Sequence, residues 1–197
     1  MANSSATYIC YVKQEIEASA KVVLSGGIIL YPTDTVWGLG CDPKNEKAIR
    51  RILEIKKKVD SQGLIVLVNS WPLLQRYARI IPEICNDLVD FAQKPMTVIY
   101  PQGQFVSPLV LGDDGSIGIR LTSDEFCSGL IGKIRMGLVS TSANLSGEPA
   151  PKSLKDVNPE IKAAVDYVVN LPSRKTDSPP SQIVKVGEKN QIQIIRK

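Results

Sequence analysis

The chain contains no histidine. That absence removes a histidine general base, every triad built on one, and any imidazole-ligated metal centre. Chemistry must fall to lysine, arginine, hydroxyls, carboxylates or a bound metal. Cysteine is scarce as well: Cys10, Cys41, Cys85 and Cys127 form no C-x-x-C pair and stand among apolar neighbours or beside turns, the pattern of reduced, packed thiols. No apolar stretch is long enough to span a bilayer, because the longest, Val22 to Tyr31, is broken by Ser25-Gly26-Gly27. The N-terminus shows no basic segment followed by an apolar run and a cleavage site, so the expected compartment is cytoplasmic, with no membrane partner. Neither G-x-G-x-x-G nor G-x-x-x-x-G-K-[ST] occurs, so nothing signals a Rossmann or P-loop nucleotide site.

What is present describes one ordinary domain, residues 1–197. Hydrophobic residues at 43% and charged residues at 22% are average for a globular chain, which excludes a disordered one. Lys and Arg outnumber Asp and Glu by 24 to 20, an excess that favours phosphates without the concentrated charge of a dedicated nucleic-acid binder.

Periodicity predicts a helix over 14–24 that Gly26-Gly27 stops, then a strand over 28–31 ended by Pro32. Asn45 is placed to cap a second helix closing at Lys56-Lys57-Lys58. A strand over 64–68 follows, then a helix from Ser70 toward Arg79 and another over 82–91. Strands are predicted over 96–100 and 116–120, the latter ending at Arg120. Thr122 and Glu125 have capping-box spacing for a helix to about Lys133. Strand 138–141 leads into Ser140 to Gly147, a transition crowded with short polar groups. A short helix over 159–165 and strands over 167–170, 182–186 and 191–195 suggest a terminal antiparallel patch. Leu171 to Pro180 is the one stretch composed like a flexible loop and is a candidate lid. Strands mixed with helices without strict βαβ alternation point to an α/β fold with a twisted mixed parallel and antiparallel sheet flanked by helices.

Five pieces could carry chemistry: Tyr31-Pro32-Thr33-Asp34-Thr35, the three lysines, Arg120, Ser140 to Gly147, and Pro180-Ser181. Most lie where an element ends. Each alone has an ordinary explanation: a solvated helix end, local turn capping, a surface ion pair, a polar loop. Brought together, they would form a concave polar pocket with cations and hydroxyl donors, suited to a polyphosphate beside a small carboxylate.

Taken in order, these segments resemble the YrdC/TsaC family of threonylcarbamoyl-adenylate synthases over nearly the whole chain. The resemblance rests on Ile28 to Asp42 (IILYPTDTVWGLGCD), Ile55 to Lys58 followed by Gly63-Leu64, Pro95-Met96-Thr97, Ile119-Arg120, Ser140 to Gly147 (STSANLSG) and Pro180 to Val184. It implies a nucleotidyltransferase that joins L-threonine, bicarbonate and ATP into threonylcarbamoyl-AMP and pyrophosphate, with Mg²⁺ accompanying the ATP. Downstream tRNA-modification proteins would then move the threonylcarbamoyl group to an adenosine of tRNA. By the same resemblance Thr33 and Arg120 contact threonine, Lys56 and Lys58 are the catalytic cations facing the phosphates, and Ser140, Ser142, Asn144 and Ser181 hold the adenylate. No resident metal site is implied.

The chain departs from the family pattern at four places: Lys58 replaces the arginine of K-x-R, Gln62 a lysine, Lys94 a glycine, and Gln182 a threonine. These departures admit a second reading, a divergent paralogue that binds nucleotide, tRNA or double-stranded RNA with weak or altered synthase activity. The similar domain of hydrogenase maturation proteins belongs to longer chains with zinc-binding cysteine pairs, which this sequence lacks.

Overall fold

A computed structural model describes residues 3–60, 63–171 and 180–197. Gln62 therefore lies outside the described residues, as does the candidate lid except for Leu171 and Pro180. In chain order the elements are α1 (Asn3–Leu24), β1 (Ile29–Tyr31), β2 (Gly38–Cys41), α2 (Glu46–Ile55), β3 (Ile65–Val68), α3 (Trp71–Tyr77), β4 (Ala78–Ile80), α4 (Ile84–Asp90), β5 (Met96–Tyr100), β6 (Gln102–Gly103), β7 (Ile117–Leu121), α5 (Glu125–Ile134), β8 (Leu138–Ser142), α6 (Pro159–Ala164), β9 (Tyr167–Val168), β10 (Gln182–Val186) and β11 (Ile192–Arg196). The main sheet runs β11-β10-β5-β7-β3-β8-β2-β1-β9, and β4 pairs separately with β6. Parallel pairs (β10 with β5, β3 with β7, β1 with β9) are interspersed among antiparallel ones, which is the mixed sheet the sequence predicts.

Both faces of the sheet carry core. Along β1, Ile28 and Leu30 enter the larger core with Ile49 and Ile52 of α2, Leu74 of α3, Cys85 of α4 and Ile161 of α6. The alternate residues Ile29 and Tyr31 enter a second core with Ala20 and Val23 of α1 and Leu130, Ile131 and Ile134 of α5. The period of two thus sorts each strand between two helical layers. Glu15 anchors α1, accepting from the Tyr167 hydroxyl and the Asn170 N–H, each at 2.9 Å. No helix among the described residues is long and apolar enough to cross a membrane. Cys41, Cys85 and Cys127 are buried free thiols and Cys10 is exposed, matching the packed-thiol reading for three of four. Burial pushes Cys41 up to about 12 and Cys85 up to about 11, so neither is a nucleophile.

Several boundaries differ from expectation for identifiable reasons. Helix α1 begins at Asn3 rather than Gln14. Helix α3 ends at Tyr77, and the segment through Arg79 becomes β4. Helix α5 is capped by Asp124, whose carboxylate accepts from Cys127 N at 2.9 Å; the Thr122 hydroxyl accepts instead from Asp124 N, so no Thr122 capping box forms. The terminal strands are not one patch. β10 and β11 are antiparallel at one edge, whereas β9 lies parallel to β1 at the opposite edge.

Strand β2 was hidden by its glycines, which are poor strand formers. They are there because the strand passes under an aromatic ring: a Cβ on Gly40 would stand 2.9 Å from Tyr31 Cε1 and 3.0 Å from the Val139 carbonyl. Neither the fully buried Tyr31 nor the backbone can retreat. Gly40→Ala is therefore expected to destabilise the fold by about 1–3 kcal/mol, the range for overpacking a core, as measured by urea denaturation. An unchanged midpoint would mean that the Tyr31 ring can shift aside.

Candidate functional site

The α1 and α5 layer covers only part of its face of the sheet, and the remainder forms a cavity of about 120 Å³. Its lining includes Thr33, Thr35, Gly38, Ile65, Thr97, Arg120, Ser140, Ser142, Ser181 and Arg196. The strand residues in this group come from alternate positions on one side. Ser140 pairs in register with Ile65, Ser142 with Gly38, and Thr97 with Ile183. The pocket is therefore built on a sheet face, with the Pro32 turn at its rim, and not simply where element ends meet. Gly38 keeps the floor open, since a Cβ there would lie 3.4 Å from Ser140 Oγ.

Arg120 is 4% exposed, and such a charge must be compensated. The turn after β1 supplies the compensation: Nη2 lies 2.9 Å from Asp34 Oδ1, and Nη1 donates to Thr35 Oγ1 at 3.1 Å. The Nε–H is buried with no hydrogen-bond partner among the described residues. Burial raises the Asp34 carboxyl above its ordinary range while Arg120 opposes the rise. The turn holds its own shape through Thr33, whose Oγ1 donates to the Val36 carbonyl at 2.8 Å and accepts from the N–H groups of Thr35 and Val36. Thr33 lines the cavity, yet its hydroxyl serves this local capping.

Ser140 accepts from the buried Tyr31 hydroxyl at 2.7 Å. Ser181 shares a hydrogen bond with Thr97 at 2.8 Å, and its carbonyl accepts from Arg196 Nε and Nη2 at 2.9 and 2.7 Å. Arg196 was missed by the sequence reading, and the register explains why. Val184 pairs with Ile194 but Ile183 pairs with Arg196, so one extra residue, Ile195, bulges between them. Without that bulge, alternation from Ile192 and Ile194 would send Arg196 to the opposite face; with it, the guanidinium turns into the cavity. Burial, with Arg120 nearby, lowers the Arg196 pKa. Among the described residues lining the cavity there is no carboxylate, while two guanidinium groups, Arg120 and Arg196, line it.

The remaining expected residues sit behind or beside this lining. Lys58 pairs with Asp60 at 3.3 Å, and its Nζ lies 3.7 Å from where a Cβ on the lining residue Gly63 would stand, at the rim. Asn144 donates to the carbonyls of Leu145 and Glu148 at 2.9 and 2.7 Å, while its Oδ1 is buried and unpartnered among the described residues. Lys56, 4% exposed, does not line the cavity: its ammonium donates to the carbonyls of Ser142 and, at 2.8 Å, Asn144. Burial first, and Lys58 second, lower its pKa to about 8. No group of three potential metal-ligating side chains occurs among the described residues.

Comparison with known proteins identifies the family. The Sua5/YciO/YrdC family model, described as "Telomere recombination", matches residues 21–197. The chain belongs to the Sua5/YciO/YrdC family. The threonylcarbamoyl-AMP synthase of Xanthomonas euvesicatoria pv. vesicatoria is 35% identical over 159 residues, covering 79% of this chain and 85% of the relative. That of Xanthomonas oryzae pv. oryzae is 32% identical over 180 residues, covering 86% and 96%. Among solved structures, P. abyssi Sua5 complexed with L-threonine superposes with a TM-score of 0.79 at 26% identity over 87% of this chain. The chain spans half the length of that protein. E. coli YciO superposes at 0.78 with 22% identity over 92% of this chain and 88% of its own, which shows the shared Sua5/YciO/YrdC fold.

The lowered Lys56 pKa has a definite consequence for stability. Between about 8 and 10.5 the unfolded chain holds this proton and the folded chain does not, so folding gains stability as pH rises through that window. The contribution is lost as pH falls through 8. The stability of the wild type minus that of Lys56→Met is expected to increase from pH 8 to 10.5 in denaturation measurements. A difference that is flat or falls with pH would show that the ammonium is not disfavoured by its burial.

Proposed function

We propose that the protein is an L-threonylcarbamoyladenylate synthase, a nucleotidyltransferase that makes threonylcarbamoyl-AMP and pyrophosphate from L-threonine, bicarbonate and ATP. The observation that carries the reading is Arg120: a buried guanidinium on the cavity wall with an Nε–H that no described protein group accepts. A small carboxylate would complete it. The relatives named as synthases and the threonine complex of Sua5 support the same assignment over a nucleotide-binding or RNA-binding paralogue.

In this reading Arg120 holds the threonine carboxylate and the Thr33 turn fixes Arg120. Ser140, Ser142, Asn144 and Ser181 hold the adenylate, Asn144 from beside the lining. Lys58 and Arg196 face the phosphates. The threonine amine and bicarbonate form the carbamate with loss of water; its oxygen attacks the α-phosphorus, and the bond to pyrophosphate breaks. Negative charge grows on the nonbridging and departing oxygens, where fixed cations act most strongly. Mg²⁺ would arrive on the triphosphate as part of the substrate and share in that neutralisation. Proton transfer is not the difficult step once the carbamate exists, which suits a chain without histidine. The product would pass to tRNA-modification proteins, in keeping with a cytoplasmic role.

Purified protein with ATP, Mg²⁺ and bicarbonate is expected to release pyrophosphate only when L-threonine is added. Release without threonine would defeat the substrate assignment. Arg120→Lys keeps a charge opposite Asp34 but loses the fork, and is expected to lower kcat/KM for threonine by about 10- to 100-fold, the worth of a charged hydrogen bond. An unchanged threonine dependence would place the carboxylate elsewhere.

A further inference from the structure

The family resemblance makes Lys56 a phosphate contact, but its surroundings assign it other work. From the proposed function we take only that the segment 140–147 holds the adenylate. We infer that Lys56 is a positioning residue: it clamps this segment from behind and acts on the nucleotide through Ser142 and Asn144 without touching the phosphates.

The clamp has two jaws. An ammonium offers three donors, and two of them are committed to the Ser142 and Asn144 carbonyls on either side of Ala143. The backbone closes the second jaw, because the Lys56 carbonyl accepts from Ser146 N at 2.9 Å. Lys56 itself is fixed as the C-cap of α2, its N–H donating to Ile52 O at 3.0 Å. On the far side Ala143 N donates to Trp37 O at 2.8 Å, so the segment is gripped between α2 and the start of β2. What the grip presents is the side of Ser142 that lines the cavity, with Asn144 held next to it. Removing the ammonium would leave two buried carbonyls unsatisfied, and the segment would relax toward water.

Amide hydrogen exchange without nucleotide separates this role from direct contact. In Lys56→Met, exchange at Ala143 and Ser146 is expected to rise about tenfold or more over wild type, while amides of β5 and β7 keep their protection. KM for ATP should rise by a similar factor and KM for threonine should not, because the threonine end is set by Arg120. Unchanged exchange at Ala143 and Ser146 with weakened ATP binding would overturn the clamp and restore direct contact. Equal loss for ATP and threonine would also overturn it, as the signature of general destabilisation.

Ser146→Pro provides a second arm should Lys56→Met fail to fold. Glu148 N donates to Leu145 O at 3.1 Å and Gly147 has φ of +85°, which makes Leu145–Glu148 a turn that favours proline at its second position. The substitution deletes the donor to the Lys56 carbonyl together with an exposed hydroxyl, and touches no cation. It is expected to weaken ATP binding about three- to tenfold, the value of one hydrogen bond, and unaltered binding would overturn the clamp. Wild-type protein that does not bind ATP would instead defeat the nucleotide reading, while the exchange comparison would still decide what Lys56 holds.

Discussion

A guanidinium buried at the centre of a sheet face dictates much of what surrounds it. The cost of burying Arg120 there is offset because the turn after β1 delivers Asp34 and Thr35 to two of its nitrogens. That turn is held in its own right by the four hydrogen bonds of Thr33 Oγ1. Its position follows in turn from β1, whose Ile29 and Tyr31 are locked into the α1 and α5 core. The cavity wall is therefore an extension of the hydrophobic core, and its polar residues are held by packing rather than by loop chance. Such preorganisation suits a site that must stabilise charge developing in a transition state.

Glycine and tyrosine play complementary parts on the same face. Gly38 and Gly40 remove side chains from β2 so that the Tyr31 ring can lie across it and reach Ser140. Burial keeps that hydroxyl protonated, hence a permanent donor. The Ser140 oxygen, having accepted this hydrogen bond, is left with its own hydrogen to offer a ligand. An element that looks weak by strand propensity is thus required by a contact made across the sheet.

How far the sequence discloses this depends on the range of the interaction. The helix capped by Asn45, the strands over 96–100 and 182–186, and the packed thiols follow from local pattern, and the structure bears them out. The convergence of Thr33, Arg120, Ser140, Ser142 and Ser181 on one cavity is legible only as a set of segments recognised together. β2 and the separation of β9 from β10 escape local reading, because each is decided by a partner distant in sequence; the Asp124 cap escapes it although local, because Thr122 offers a competing cap two residues away. Arg196 escapes for a sharper reason: one bulged residue reverses the face that alternation would assign it.

That reversal bears on the departure at Lys58. A lysine in place of arginine retains charge and loses the planar fork that grips phosphate oxygens in pairs. In this chain the fork is not lost from the cavity as a whole, since Arg196 brings a second guanidinium to the same wall as Arg120. Arg120 is largely occupied by Asp34 and Thr35, and Arg196 by the Ser181 carbonyl, so each has a fixed orientation before any ligand arrives. Lys58, tethered to Asp60 at the rim, is then a mobile-stemmed point charge added to a preset pair. In the proposed function the geometry of anion recognition would reside in the arginines, and lysine would add to the field. A change from arginine to lysine at the rim is for that reason a gentler departure in this pocket than the same change would be at position 120 or 196.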